Sequence, residues 1–270
     1  MKTTALRLWY FSPVFHTRAL VRGLGHALAE RLGVAEAREQ DATPWSAAGE
    51  EPPALAPSDL AVLGVPVYGG RVPAPALERL PRAAGSPAVL LVSYGNRAFE
   101  DALLELGDAA VARGFRPVAA AACIAEHTIA GYAAGRPDAA DMAALGDFAG
   151  AVASLARQDF PGSPANLDIP GNRPYRRFSP SALPQQVDDA CTRCGRCAEQ
   201  CPTGAIAADE PARVDAGHCI CCMRCVNICP ARARRADAGF LAALSARLAP
   251  LCAGRRENAF FLPEQAPGNA

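Results

Sequence analysis

The sequence predicts an α/β domain with a doubly wound parallel sheet, followed by a small α+β cysteine-rich unit. Three observations predict it. Apolar runs alternate with helix-period segments over residues 1–159. Proline becomes dense over residues 160–186, as in a linker. Nine of the 11 cysteines fall between Cys191 and Cys229. The cysteine-rich unit is placed at residues 187–236, and a C-terminal helix and tail at residues 237–270.

The first strand is the apolar stretch Ala5 to Phe11. A helix follows over Thr17 to Leu32, where Leu20, Val21, Leu24, Leu28 and Leu32 recur on one face. Ala61 to Val67 is a continuous apolar run, as expected of a strand buried on both faces. Ala88 to Ser93 and Val118 to Ile124 read as two more strands. Helices fit Ala98 to Arg113 and Asp138 to Gln158. This alternation implies a parallel sheet with helices on both faces and right-handed crossovers. The proline-rich stretch holds PGSP, IPG, RPYRRFSP and LPQQ, and reads as an extended linker or a strap over the surface. A helix fits Gly239 to Cys252, and Phe260, Phe261 and Leu262 should dock on the body.

Lys+Arg and Asp+Glu are equal at 27 each. No basic excess points to nucleic acid or anionic lipid, and no acidic block to a solvating tail. No apolar run approaches the roughly 20 residues that span a bilayer. Arg7 interrupts the apolar N-terminus, and no small-residue cleavage site follows. The expectation is a cytoplasmic protein without a membrane segment. In a reducing compartment, clustered cysteines point to metal rather than disulfides.

The cysteines form two motifs. The first is Cys191-x2-Cys194-x2-Cys197-x3-Cys201-Pro202, the second Cys219-x2-Cys222-x2-Cys225-x3-Cys229-Pro230. A three-residue step lets a tight loop carry three thiolates to three corners of an iron–sulfur cube, with backbone N–H groups facing its sulfides. In two-cluster ferredoxins of this spacing, the fourth Cys ligates the other cluster. The expected ligand sets are therefore Cys191, Cys194, Cys197 and Cys229 for one [4Fe–4S] cluster, and Cys219, Cys222, Cys225 and Cys201 for the other. Structural zinc is the competing assignment, but zinc sites use two separated Cys pairs and close at four ligands. Cys221, Cys123 and Cys252 stand outside the register as spare or buried thiols. The segment, with its Cys201-Pro-Thr-Gly-Ala-Ile206 stretch, strongly resembles bacterial two-[4Fe–4S] ferredoxins. The second motif departs from them, having no glycine after Pro230.

Three loops of the first domain stand at strand ends. Ser12-Pro13-Val14-Phe15-His16-Thr17 lies between a strand and a helix, where free N–H groups and the helix dipole can meet a phosphate. Helix capping by Ser12 or Thr17 is the plainer reading. Tyr68-Gly69-Gly70 and Tyr94-Gly95-Asn96 follow later strands, where ligands of open α/β sheets bind. Tyr beside Gly offers a flat face and bare backbone to an aromatic ring; an ordinary turn is the alternative. Together these loops resemble the flavodoxin fold. PVYGGRVP, SYGNRAFEDALLEL, AEHTIAGYAAGRPD and ENAFFL carry a closer resemblance, over nearly the full length, to the EFR1-type fused flavodoxin–ferredoxin family. That resemblance implies FMN, with its phosphate on Ser12, His16 and Thr17 and its isoalloxazine near Tyr68, Gly69, Gly70, Tyr94, Gly95 and Asn96. Val14-Phe15 departs from the Thr-Gly usual there, removing a hydroxyl donor and a flexible residue.

Three functions follow. The first is a flavin-plus-cluster electron carrier between a redox protein donor and acceptor. The second is an FMN-free docking module that delivers ferredoxin electrons to a partner. The third is a flavin-dependent reductase of a small substrate, using Tyr94, Glu126 or His127. No residue has the partners expected of a catalytic acid, base or nucleophile. Glu126 and His127 read more simply as loop residues, and His218 and Arg176-Arg177 as solvated ones.

Overall fold

The computed structural model describes residues 3–34, 37–48, 54–160, 167–178 and 185–263. Five strands, β1 (Ala5–Tyr10), β2 (Ala37–Asp41), β3 (Asp59–Pro66), β4 (Pro87–Tyr94) and β5 (Arg116–Ile124), form a parallel sheet in the order β2-β1-β3-β4-β5. This is the flavodoxin-like order, which reverses direction between β1 and β3 and opens a crevice at their C-terminal ends. The crossovers hold α1 (His16–Leu32), α2 (Ala74–Glu78) and α3 (Ala102–Ala112), and α4 (Ala139–Arg157) follows β5.

Strand alternation sorts the core. Leu6, Leu8 and Tyr10 of β1 pack with Leu20, Leu24 and Leu28 of α1 and Leu145, Phe148 and Val152 of α4. Trp9 and Phe11 face the other way, toward Ala76 of α2 and Leu103 and Leu106 of α3. Among the described residues, α4 is the one helix long and apolar enough to cross a bilayer by length and composition. Its inner face is part of this core. It starts at a capping box, in which Asp138 Oδ1 accepts from Asp141 N–H (3.0 Å) and Asp141 Oδ2 from Asp138 N–H (2.8 Å).

The sequence pattern misses β2. Its residues, Ala-Arg-Glu-Gln-Asp, are half-buried or exposed at a sheet edge, so no apolar alternation marks them. Their side chains are used locally: Glu39 accepts from Arg22 (2.8 Å) and from the Tyr10 hydroxyl.

Residues 167–178 run over the surface of α3 as a strap. Asp101 accepts from the N–H groups of Asn172 (2.9 Å) and Arg176 (2.7 Å), and Arg173 pairs with Asp108. Residues 161–166 and 179–184 of the expected linker lie outside the described residues. The cysteine-rich unit has a two-stranded antiparallel ribbon, β6 (Gln185–Val187) with β7 (Arg234–Ala236), and two single-turn helices, α5 (Arg196–Glu199) and α6 (Arg224–Asn227). After α7 (Ala238–Leu248) the chain returns to the large sheet as β8 (Ala259–Phe261), antiparallel on β5. Phe260 stacks on Phe148 at 4.8 Å on one face, and Phe261 meets Phe99 at 6.4 Å on the other.

Candidate functional site

A cavity of about 530 Å³ opens at the C-terminal ends of β1, β3 and β4. The loops after β1, β3, β4 and β5 form its floor. Phe240, Leu244 and Leu248 of α7 roof it, and Ile220 and Cys221 of the second cysteine motif close one side. The sheet switch point and the cysteine-rich unit thus share one cavity.

Of the residues expected to bind a cofactor, His16, Thr17, Tyr68, Gly69, Tyr94 and Gly95 line it. Ser12, Gly70 and Asn96 are absent from its lining. Ser12 is buried, with its N–H donating to Thr43 Oγ1 (2.8 Å) and its Oγ accepting from Arg18 N–H (3.0 Å), which is capping. Gly70 backs onto Glu100 and Arg176, themselves an ion pair. Asn96, at φ 62°, donates to the carbonyls of Cys252 and Gly254 (both 2.8 Å) and latches the C-terminal segment. The Thr17 hydroxyl is engaged with Ser93 Oγ at 2.7 Å, which ties α1 to β4.

The bare faces of the two glycines are covered by the chain itself. A Cβ on Gly69 would meet the Phe178 ring at 2.1 Å, and one on Gly95 would meet His127 at 2.7 Å. His127 Nδ1 accepts from the N–H of Ala130 (3.1 Å), so Nε2 carries the ring proton. Burial lowers the pKa of His127 and of His16. Burial also pushes the Tyr68 phenol well up, reinforced by the nearby Cys222 and Cys221 thiols. Tyr68 and Cys221 both line the cavity, so the phenol lies near the second motif.

The first turn of α1 suits an anion. Phe15 precedes it at φ 71°, the left-handed conformation that glycine supplies most easily. Among the described residues, the N–H groups of His16 and Thr17 have no carbonyl partner. Arg18 lies 4.6 Å from the Phe15 ring. These features fit a phosphate, although the missing Thr-Gly leaves backbone donors to carry it.

The motif cysteines are sorted into two quartets. Cys191, Cys194, Cys197 and Cys229 line one small cavity with Arg234. Cys201, Cys219, Cys222 and Cys225 line another with Gln185. Each quartet takes three thiols from one motif and the last from the other. Among the described residues, no three His, Cys, Asp or Glu side chains are gathered for a single ion. The loops repeat in backbone as in spacing. Arg193 and Cys221 have φ 53° and 56°, Gly195 and Met223 have 74° and 61°, and Gly204 and Arg232 have 64° and 53°. Alternating left- and right-handed residues form concave nests of N–H groups that favour an anionic guest.

Arg234 and Gln185 join the two quartets. Arg234 is 3% exposed. It donates to Gln185 Oε1 (2.8 Å), to the Pro211 carbonyl and to Cys197 Sγ (3.7 Å). Gln185 reaches Cys225 Sγ at 3.1 Å and Cys219 Sγ at 3.8 Å. Among the described residues no carboxylate pairs with Arg234. A buried guanidinium without a carboxylate suits a site where metal-bound thiolates supply the negative charge. The thiols differ before ligation. Burial raises Cys225 to about 11 and Cys222 further, whereas a hydrogen bond from Cys221 brings Cys219 down to about 6.

Sequence reasoning passed over Gln185, Arg234, Phe178 and the α7 roof. Arg234 and Gln185 carry no motif, and Phe178 lies in a stretch whose composition signals only a linker. Cys123 is fully buried in the core, and Cys252 sits near the Gly95 carbonyl.

The 4Fe-4S binding domain family matches residues 184–207, which contain the first motif. No curated protein matches the chain. Solved structures similar to it cover a little over half of the chain. The flavodiiron core of Flv1 from Synechocystis sp. PCC6803 is 16% identical over 58% of this chain and 37% of that one, with a TM-score of 0.42. Rubredoxin oxygen:oxidoreductase from Desulfovibrio gigas is 14% identical over 59% and 38%, at 0.41. A flavodoxin from the domain Archaea is 11% identical over 57% and 99%, at 0.38. The chain thus spans little more than a third of the first and second of these proteins. The protein combines a flavodoxin-like α/β fold, defined by its strand order, with a 4Fe-4S ferredoxin segment.

Proposed function

We propose that this protein is an electron carrier in which two [4Fe–4S] clusters exchange single electrons with FMN, as in the EFR1-type fused flavodoxin–ferredoxin family. The observation that carries it is the sorting of eight motif cysteines into two mixed quartets, with the second beside the cavity at the sheet switch point. Cys191, Cys194, Cys197 and Cys229 would hold the first cluster, and Cys201, Cys219, Cys222 and Cys225 the second. FMN, when bound, converts between one- and two-electron steps.

The chain's own residues divide the rest. The N–H groups of His16 and Thr17 would bind the phosphate, and Tyr68 and Tyr94 would bind the ring system. His127, which lines the cavity, would offer its Nε2–H as a donor. Phe240, Leu244 and Leu248 exclude water. Ile220 and Cys221 of the second motif line the cavity, so the second cluster would be the one next to the flavin. Cys194 is exposed, whereas Cys222 and Cys225 are buried. The first cluster is therefore the outward port for a redox protein donor or acceptor, in the cytoplasm. The units proposed are residues 1–159, 160–186, 187–236 and 237–270.

Anaerobic reconstitution with iron, sulfide and FMN tests this. Iron for both clusters, stoichiometric flavin and EPR of two interacting centres are expected. Zinc, or iron for fewer than two clusters, would sink the cluster assignment. A second reading is favoured by the Phe178 and His127 rings over Gly69 and Gly95: an FMN-free docking module. Full iron with no flavin would select it.

A further inference from the structure

We infer that Arg224 makes the affinity for FMN depend on occupancy of the second cluster, an inference that rests on the two-cofactor reading above. Arg224 lies between Cys222 and Cys225, both in the second quartet, and opens α6. Its side chain is 5% exposed and reaches out of the cysteine-rich unit. Nη1 donates to the carbonyls of Pro13 (3.3 Å) and Ser12 (3.4 Å), and Nη2 to Gln200 Oε1 (2.6 Å). The guanidinium also lies 5.4 Å from the Phe15 ring.

Those contacts fall on the turn that aims the N–H groups of His16 and Thr17. Phe15 holds a conformation strained for an L-residue, and both the Arg18 and the Arg224 guanidinium groups lie against its ring. Arg224 Nε has no partner, and among the described residues no carboxylate forms an ion pair with the side chain. A buried cation so placed is relieved by anions nearby. Asp41 supplies one such charge from a distance, and this reading adds two more, the phosphate beyond the turn and the thiolate-bound cluster behind it. Ligation by Cys222 and Cys225 fixes the segment that carries Arg224, and Arg224 fixes the turn. Linkage then runs both ways: the cluster favours FMN, and FMN favours retention of the cluster.

The test uses the full chain. FMN is titrated anaerobically, by quenching of flavin fluorescence, into cluster-loaded protein, chelator-stripped protein and loaded Arg224→Met and Arg224→Lys variants. Stripping should weaken FMN binding at least about fivefold, the lower end of ordinary coupling between sites. Arg224→Met with normal iron content should bind FMN as weakly as stripped protein, with no further loss on stripping. Lys should restore part of the affinity. FMN should also slow iron release to a chelator in the wild type but not in Arg224→Met. Equal FMN affinity in loaded and stripped wild-type protein overturns the coupling alone. Absence of FMN binding in every state overturns the two-cofactor reading and the coupling with it. If Arg224→Met does not fold, the wild-type comparison and the iron-release rates still decide.

Discussion

Gly204 and Arg232 occupy equivalent turns, at φ 64° and 53°, three residues after the last Cys of each motif. Only glycine takes this conformation freely; an L-residue gives up roughly 1–2 kcal/mol. A Cβ at Gly204 would meet nothing closer than Trp45 at 3.7 Å, so the penalty there is purely conformational. Gly204→Ala should lower stability by about 1 kcal/mol. Arg232→Gly should raise it, by less, because glycine also loosens the unfolded chain. Denaturant midpoints of the loaded protein measure both. Arg234 acts on potential. Replacing it with Met removes a buried positive charge and its donation to Cys197, so the reduction potential of the first cluster should fall. An unchanged EPR-monitored redox titration would refute that role.

The histidines set a pH dependence. Burial lowers the pKa of His127 and His16 below the ordinary value of about 6.5. In that window the unfolded chain takes up protons that the folded chain refuses, so stability falls as pH drops from about 7 toward 5. His127→Gln should flatten the decline in denaturant midpoint, leaving the part due to His16.

At the level of elements, the strands buried on both faces were legible because continuous apolar runs have few other uses. β3 and β4 are buried along nearly their whole lengths. β2 was not legible, since an edge strand needs backbone partners more than apolar side chains. β8 lies between these cases. Phe260 and Phe261 announce burial, whereas Leu262, expected to dock with them, is exposed; three apolar residues do not announce a sheet edge. Because Phe260 and Phe261 face opposite cores, Phe260→Ala should cost about 2 kcal/mol through loss of the Phe148 stack. It should also loosen the return of the chain after α7, seen as faster hydrogen exchange at residues 120–122, which pair with β8.

At the scale of the whole molecule, the crossed quartets make a sharp prediction. In the double variant Cys191→Ser/Cys229→Ser, both losses fall on one quartet, so iron for one intact cluster should remain. In Cys191→Ser/Cys201→Ser they fall on both, so both clusters should be impaired. Self-contained motifs would reverse the two outcomes, and iron per chain distinguishes them. The expectation of crossed quartets came from the two-cluster ferredoxins that share this spacing, in which the fourth Cys of each motif ligates the other cluster.

The sequence by itself determined the alternating α/β domain and the two cysteine motifs, since these follow from local periodicity and short covalent spacing. Only the tertiary structure decided that the cysteine-rich unit closes the cavity at the sheet switch point, that Phe178 and His127 cover the two glycines, and that Arg224 and Arg234 serve sites far from them in sequence. Such contacts join residues separated by tens to hundreds of positions. They depend on how whole elements pack, which no local pattern of side chains encodes.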